Sequence, residues 1–327
     1  MAEKIQITIV GLGFVGASAG LALRRHQDKV VVVGHDRDFR LAEKAKRLGA
    51  CERVERNLID AVSSADRILL ALPVAEIRDT LSAIAGELKP GCLLVDTAEV
   101  KAPVMQWAAE LLPDTVHLVG GHPILVAADP SPENATADTF ENAFFCLTPS
   151  ARTDDTAVRL AADLVEAMGA RPLFMDAMEH DGMAAIVEQV PEIVAGAMMQ
   201  AAAGSASWRD IRKLTAGPFY RSTLMTSPSA SAAAGACIAN REHVLRWLDT
   251  LIGALGDWQQ RLAGSDETGL TQEFERGMTA RQDWLRAHET GRWEDEVDLP
   301  PFPTTGDVLR SMVGFSKPPG AELDKKR

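Results

Sequence analysis

The opening of the chain alternates apolar and polar positions with period two: Ile5, Ile7 and Ile9 alternate with Gln6 and Thr8, and Val10 closes the run. That spacing predicts a β-strand. A small-residue apolar stretch from 17 to 23 predicts a helix, and the run 30–33 a second strand. The pattern then repeats. Helices are expected at 39–48, 58–62, 75–85 and 103–112, and strands at 51–54, 68–72, 93–95, 116–119 and 143–147. Pro103 suits the first turn of its helix. After a polar break at 150–155, a helix at 157–168 and a short strand at 172–175 belong to the same pattern. Regular alternation of this kind predicts a mainly parallel, doubly wound α/β sheet with helices on both faces. Ligands of such sheets sit outside the carboxyl ends of the strands.

From His180 the pattern changes. Alanine- and methionine-rich helical stretches cover 181–203, 207–214, 229–239 and 241–262. Their apolar or small faces suit close helix packing, either as a dimer core or as a self-contained helical domain. A charged amphipathic helix is expected at 268–288. The remainder, 289–327, carries Pro300, Pro301, Pro303, Pro318 and Pro319 and reads as a surface-hugging or mobile tail. The expected organisation is therefore 1–178, a dinucleotide-binding domain of Rossmann type; 179–265, an all-helical substrate and dimerisation domain; and 266–327, a helix and proline-rich tail.

The first chemistry sits where the first strand meets the first helix, at Gly11-Leu12-Gly13-Phe14-Val15-Gly16. The first glycine permits a tight turn, the second lets backbone approach a pyrophosphate, and the third lets helix and strand pack closely. The helix N-terminus offers free N–H groups to the phosphates. Asp36 ends the second strand 20 residues after Gly16, the distance at which a carboxylate receives the adenosine ribose hydroxyls. Gly11, Gly13, Phe14, Val15, Gly16, Asp36, Arg37, Leu72 and Pro73 are the expected cofactor contacts. Asp36 favours NAD, because a carboxylate repels a 2′-phosphate. Arg37 softens that preference, so NADP is disfavoured without being excluded.

Composition narrows the class. The chain has 327 residues, which suggests two domains, and a net charge of −12. That charge argues against nucleic acid or an anionic membrane as partner, leaving a small-molecule substrate. Four widely spaced cysteines, Cys51, Cys92, Cys146 and Cys237, form no CxxC pair and read as free thiols in a reducing compartment. Met1-Ala2-Glu3-Lys4 leads straight into the first strand, so a cytoplasmic protein is expected.

Several motifs in order resemble the prephenate/arogenate dehydrogenase family over roughly residues 5 to 262. They are the glycine turn, Gly34-His35-Asp36-Arg37, Ala71-Leu72-Pro73-Val74, Val95-Asp96-Thr97-Ala98-Glu99-Val100-Lys101, Gly121-His122-Pro123-Ile124, His180-Asp181 opening a helix, and Asn240-Arg241-Glu242. The resemblance implies a dinucleotide-binding domain and a helical domain that dimerises. It also implies oxidative decarboxylation, in which a ring carbon bearing a hydroxyl gives hydride to the nicotinamide as CO2 leaves. His122 matches the family's catalytic histidine, the proton acceptor for that hydroxyl; imidazole titrates near neutrality and suits the task. A loop histidine capping a strand end is the plainer reading. His180 either closes the cleft or, with Asp181, caps its own helix.

The departures from the family pattern concern the substrate. Glu99 stands where the family has a serine. Glu188-Gln189-Val190-Pro191-Glu192 stands where it often reads Ser-His-Leu-Pro-His. Leu224 and Tyr220 fall where arginines are common, with Arg221 one step away. Glu99, Lys101, His180, Glu188, Glu192 and Arg221 are the expected substrate residues. Prephenate is a dianion, and one uncompensated like-charge pair about 4 Å apart costs ~4 kcal/mol at an effective dielectric near 20, roughly a thousandfold in affinity. So either the glutamates point elsewhere, or Lys101, Arg212, Lys213 or Arg221 neutralises them, or the substrate carries an amine, as arogenate and amino-substituted prephenates do. The plainer reading is a solvated pair, Glu188 and Glu192, on one helix face with Pro191 kinking it. The acids lack the spacing of a metal site, and none is expected. Two alternatives stand beside this: a dehydrogenase of a small hydroxy acid, and a cofactor-binding protein without chemistry.

Overall fold

The computed structural model describes residues 4–126, 130–227 and 229–291. Eight strands form one sheet: β1 (Ile5–Val10), β2 (Val30–His35), β3 (Arg53–Val54), β4 (Arg67–Leu70), β5 (Leu93–Asp96), β6 (His117–Pro123), β7 (Phe144–Thr148) and β8 (Arg171–Phe174). Their spatial order is 3-2-1-4-5-6-7-8. Every neighbouring pair is parallel except β6 and β7, which run antiparallel. The chain order reverses between β1 and β4, and the carboxyl ends there open a crevice for ligand.

The helices between the strands are α1 (Phe14–Leu23), α2 (Phe39–Leu48), α3 (Leu58–Val62), α4 (Val74–Ile84), α5 (Ala102–Leu111) and α6 (Asp155–Ala167). Strand alternation sorts the core into two layers. Ile7, Ile9, Leu69, Leu93 and Val95 face one layer with residues of α1, α2 and α6; Val10, Ile68, Leu70 and Leu94 face the other, with residues of α4 and α5. The polar positions of β1 are not solvated. Thr8 is fully buried, and its hydroxyl donates to the Ala61 carbonyl at 2.7 Å. Both faces of the strand are therefore covered, as a central parallel strand requires.

After the sheet come α7 (Ala177–Ala184), a π-helical turn (Ala185–Gln189) and α8 (Val190–Ala203) as one continuous rod. The sequence predicts an α-helix over 181–203 with a kink at Pro191. Proline at 191 has no N–H and its ring crowds the carbonyl four residues earlier, and the wider turn just before it relieves that conflict. The rod starts at Ala177, earlier than the sequence suggests, with Asp176 accepting from the N–H groups of Met178 and Glu179. Then follow α9 (Trp208–Leu214), α10 (Gly217–Ser222), α11 (Ala230–Ala239), α12 (Arg241–Ala263) and α13 (Glu267–Thr290). Ala236 of α11 joins the core layer of α4 and α5.

The chain groups into two compact units, Met1–Gly253 and Ala254–Arg327. In the second, the rings of Trp258 and Phe274 pack edge to face, and Arg261 bonds Asp266 and Glu273. The proline-rich part of the expected tail lies outside the described residues.

Candidate active site

The turn from β1 into α1 is built as a cradle. Gly11 has φ +91°, and a methyl group there would overlap the Ala71 carbonyl. One on Gly16 would overlap the Gly11 carbonyl, whereas at Gly13 it would meet nothing within 4 Å. Two glycines are thus required by protein packing, and the third leaves open space at the start of α1. Among the described residues no side chain caps that helix, so its leading N–H groups are available to an anion. Asp36 closes the cradle by accepting from Leu12 N and Asp38 N, each at 2.8 Å. Arg37 lies across the mouth, paired with Glu76 at 3.0 Å. A cavity of about 600 Å3 runs along this edge past Gly11, Gly13, Asp36, Leu72 and Pro73. The residues fit a dinucleotide.

Beyond it lies a second cavity of about 210 Å3, which shares Phe14, Val15, Thr97 and Glu99 with the first. His122 lines it. A loop position was expected for this histidine, but it sits inside β6, opposite Cys146 of β7. The strand continues through Gly120 and Gly121 because no side chain fits there: a methyl on Gly121 would overlap the Asp96 carbonyl, and one on Gly120 the Thr148 hydroxyl. Asp96 accepts from Gly121 N at 2.9 Å and from Ala98 N at 3.0 Å. Lys101 bonds the same carboxylate and donates to the Gly121 carbonyl at 2.6 Å.

His122 Nδ1 lies 2.9 Å from His180 Nε2, and His180 Nδ1 lies 2.9 Å from Asp181 Oδ1. Asp181 does not cap its own helix. It accepts from Lys101 N at 2.7 Å and Ala102 N at 2.8 Å, and so caps α5. His122 Nε2 has no hydrogen bond among the described residues. Burial, with His180 and Lys101 nearby, holds this imidazole well below the ordinary histidine range. It is neutral at physiological pH and able to accept a proton.

The second cavity is acidic. Glu99, Glu188 and Glu192 line it, with no lysine or arginine among its described lining residues. Burial raises the Glu99 carboxyl. Burial, together with Glu99 and Glu192, pushes Glu188 up to about 7. Glu192 is partly engaged: its Oε1 accepts from Thr226 N at 2.5 Å, the Thr226 hydroxyl at 2.9 Å and Ser227 N at 3.2 Å. Gln189, buried, accepts from Asn240 Nδ2 at 3.1 Å, while its own Nε2 has no partner among the described residues.

The family model described as prephenate dehydrogenase, nucleotide-binding domain, matches residues 19–173. Cyclohexadienyl dehydrogenase of Zymomonas mobilis is 28% identical over 277 residues, 84% of this chain and 94% of the relative. Over most of its length the chain is similar to dehydrogenases of the prephenate and cyclohexadienyl type. Prephenate dehydrogenase of Bacillus subtilis is 26% identical over 320 residues, 96% of this chain and 86% of that one. Among solved structures, prephenate dehydrogenase from A. aeolicus, in complex with hydroxyphenyl propionate and NAD+, aligns with a TM-score of 0.79 at 23% identity, covering 86% of this chain and 98% of that one.

Against the family pattern, the residues expected around substrate divide. Glu99, Glu188 and Glu192 come together with His122. Lys101 does not reach the cavity; it is fully buried behind β6, held by Asp96. His180 lines neither cavity and stands behind His122. Arg221 is exposed on α10 and lines neither. Sequence reasoning missed Thr97, Gln189, Thr226 and Cys237 as lining residues. Of these Thr97 and Gln189 carried a signal, Thr97 within a motif that resembles the family and Gln189 beside Glu188 in a segment that departs from it.

Proposed function

We propose that this chain is an NAD-dependent dehydrogenase of a cyclohexadienol carboxylate bearing a protonated amine, of the arogenate or amino-substituted prephenate class, with His122 as the proton acceptor. The observation that carries the amine is the lining of the second cavity: three carboxylates and no cationic side chain among the described residues. A plain dianion entering there meets uncompensated like charge. An ammonium group relieves the cost of ionising Glu99 and Glu188. Gln189 Nε2, a donor without a partner among the described residues, is suited to a substrate oxygen.

Gly11, Gly13, Asp36, Leu72 and Pro73 would hold NAD along the first cavity, where it would supply the hydride acceptor. Phe14, Val15, Thr97 and Glu99 border both cavities, so cofactor and substrate would meet beside them. His122 Nε2 takes the proton of the ring hydroxyl, or of the amine that replaces it in a 4-amino prephenate, as the ring carbon bearing that group gives up hydride. Loss of the ring carboxylate as CO2 then leaves its electron pair to aromatise the ring. A positioned base of this kind contributes ~100- to 10,000-fold.

The helical stretch 179–265 is proposed to complete the substrate site and to form a homodimer. In the first unit, Leu245, Trp247 and Ile252 of α12 expose apolar surface that supports this. The stretch Ala177–Ala203 is long and apolar enough by composition to cross a membrane. It also carries Glu179, His180, Asp181, Glu188 and Glu192, and its buried residues pack against the catalytic region, so we read it as protein core in a cytoplasmic enzyme.

The test is to mix the purified chain with NAD and prephenate, arogenate or the 4-amino analogue and follow absorbance of the reduced cofactor. Turnover of an amine-bearing substrate with little or none of prephenate is expected. Preference for prephenate removes the amine reading, and unchanged turnover in His122→Asn removes the base.

A further inference from the structure

We propose that His180 and Asp181 are positioning residues that fix the tautomer of His122, holding its proton on Nδ1 so that Nε2 presents a lone pair to the cavity. The inference rests on His122 as proton acceptor and adds what makes it one. Asp181 is an acceptor only, already bonded to two N–H groups of the α5 N-terminus. The nitrogen of His180 that faces it, Nδ1, therefore carries hydrogen. A neutral His180 then has a lone pair on Nε2, and the His122 nitrogen 2.9 Å away, Nδ1, must donate. Nε2 of His122 is left unprotonated and is the nitrogen without a partner among the described residues. The rings meet at 80°, edge to face, so the donor of one points along the plane of the other.

The arrangement is rigid at both ends. Asp181 is clamped by backbone at Lys101 and Ala102, and the peptide before His122 by Asp96 and Lys101. His180, Asp181 and Lys101 are buried. When Nε2 gains the substrate proton, the charge on His122 is shared through Nδ1–H with His180 and met by Asp181 two bonds along the chain. The charged and titratable groups around His122 are Asp96, Glu99 and Lys101 from β5 and the segment after it, Cys146 from β7, His180 and Asp181 from α7, Glu188 and Glu192 from the π-turn and α8, and Cys237 from α11.

Two measurements on the full chain test this. The first needs no substrate. Nitrogen NMR of the chain labelled in histidine, with His122→Asn to assign the signal, is expected to show His122 protonated at Nδ1 and bare at Nε2. In His180→Leu the constraint is gone and the Nε2 signal moves toward the protonated form.

The second is kinetic. His180→Leu should lower kcat roughly 10- to 100-fold, the range for removing a histidine's hydrogen-bonded support, with KM unchanged because His180 lines neither cavity. His180→Gln keeps an acceptor for Nδ1–H and should recover most of that loss. His180→Leu should also shift the acid limb of kcat/KM, because the charge His122 gains is no longer shared through Nδ1–H. A purely structural role would leave that limb in place. An Nε2–H tautomer in the unsubstituted chain overturns the proposal. So does an inactive His122→Asn beside a His180→Leu chain with unaltered kcat and pH profile. An active His122→Asn instead sinks the assignment of the base itself.

Discussion

The Lys101 ammonium, shut off from solvent, is bonded to the equally buried carboxylate of Asp96, and the two hold both backbone polar groups of Gly121. The peptide preceding His122 is thus fixed by an ion pair and not by the sheet alone. Removing one partner leaves a charge buried without compensation, which costs about 3–5 kcal/mol. Lys101→Met should lower the unfolding free energy from urea titration by that amount, and adding Asp96→Asn in the same chain should restore part of it. A single variant as stable as the parent would show that the pair does not hold the strand.

Gly13 and Gly16 should respond oppositely to alanine. At Gly13 the methyl group finds open space, so stability should change by less than about 0.5 kcal/mol. NAD binding should weaken at least about tenfold, because the methyl occupies the approach to the pyrophosphate. At Gly16 the methyl overlaps the Gly11 carbonyl, and overpacking of that kind costs ~1–3 kcal/mol. Calorimetric titration and thermal melts of the two variants separate the effects.

Cofactor choice should turn on Asp36 and Glu76. Asp36→Asn removes a charged acceptor worth ~1.5–3 kcal/mol, which is roughly 10- to 100-fold in NAD affinity. Glu76→Ala releases Arg37 from its 3.0 Å ion pair and should raise affinity for NADP relative to NAD. Titrating both variants with both dinucleotides checks this, and unchanged selectivity in each would remove Asp36 and Arg37 from recognition.

Glu188 makes stability depend on pH in a definite direction. Its folded-state value is raised to about 7, chiefly by burial, so the folded chain carries it neutral below that. The benefit of keeping it neutral is complete below the unfolded carboxyl range and is lost as pH rises through about 7. Glu188→Gln should therefore match the parent at acid pH and exceed it above pH ~8 by about 1–3 kcal/mol. Denaturant titrations at the two extremes suffice. A variant destabilised at high pH would mean that the carboxylate has a cationic partner.

Much of the nucleotide-binding half was legible because its signals are local. A period-two strand, a glycine turn and an acid at the next strand end each act within a few residues of themselves. His122 was legible as chemistry but not as geometry. Two glycines before a His-Pro look like a loop, and only Asp96 and Thr148, distant in sequence, show that they are strand residues with no room for side chains. Lys101 had looked available to substrate, and its burial depends on Asp96 lying beneath it. Asp181 read as the cap of its own helix, yet it caps α5 some 80 residues earlier. The bond partners of a buried polar residue are set by packing, which spacing along the chain does not encode.

The five-residue π-turn at Ala185–Gln189 carries one more consequence. It adds a residue to the rod without adding a step of α-helical phase, so everything from Val190 onward is rotated by about 100° relative to an unbroken α-helix. A helical-wheel diagram drawn through 177–203 would set the far end on the wrong side, and a library of substitutions chosen from it would strike solvent-facing positions when aimed at the cleft.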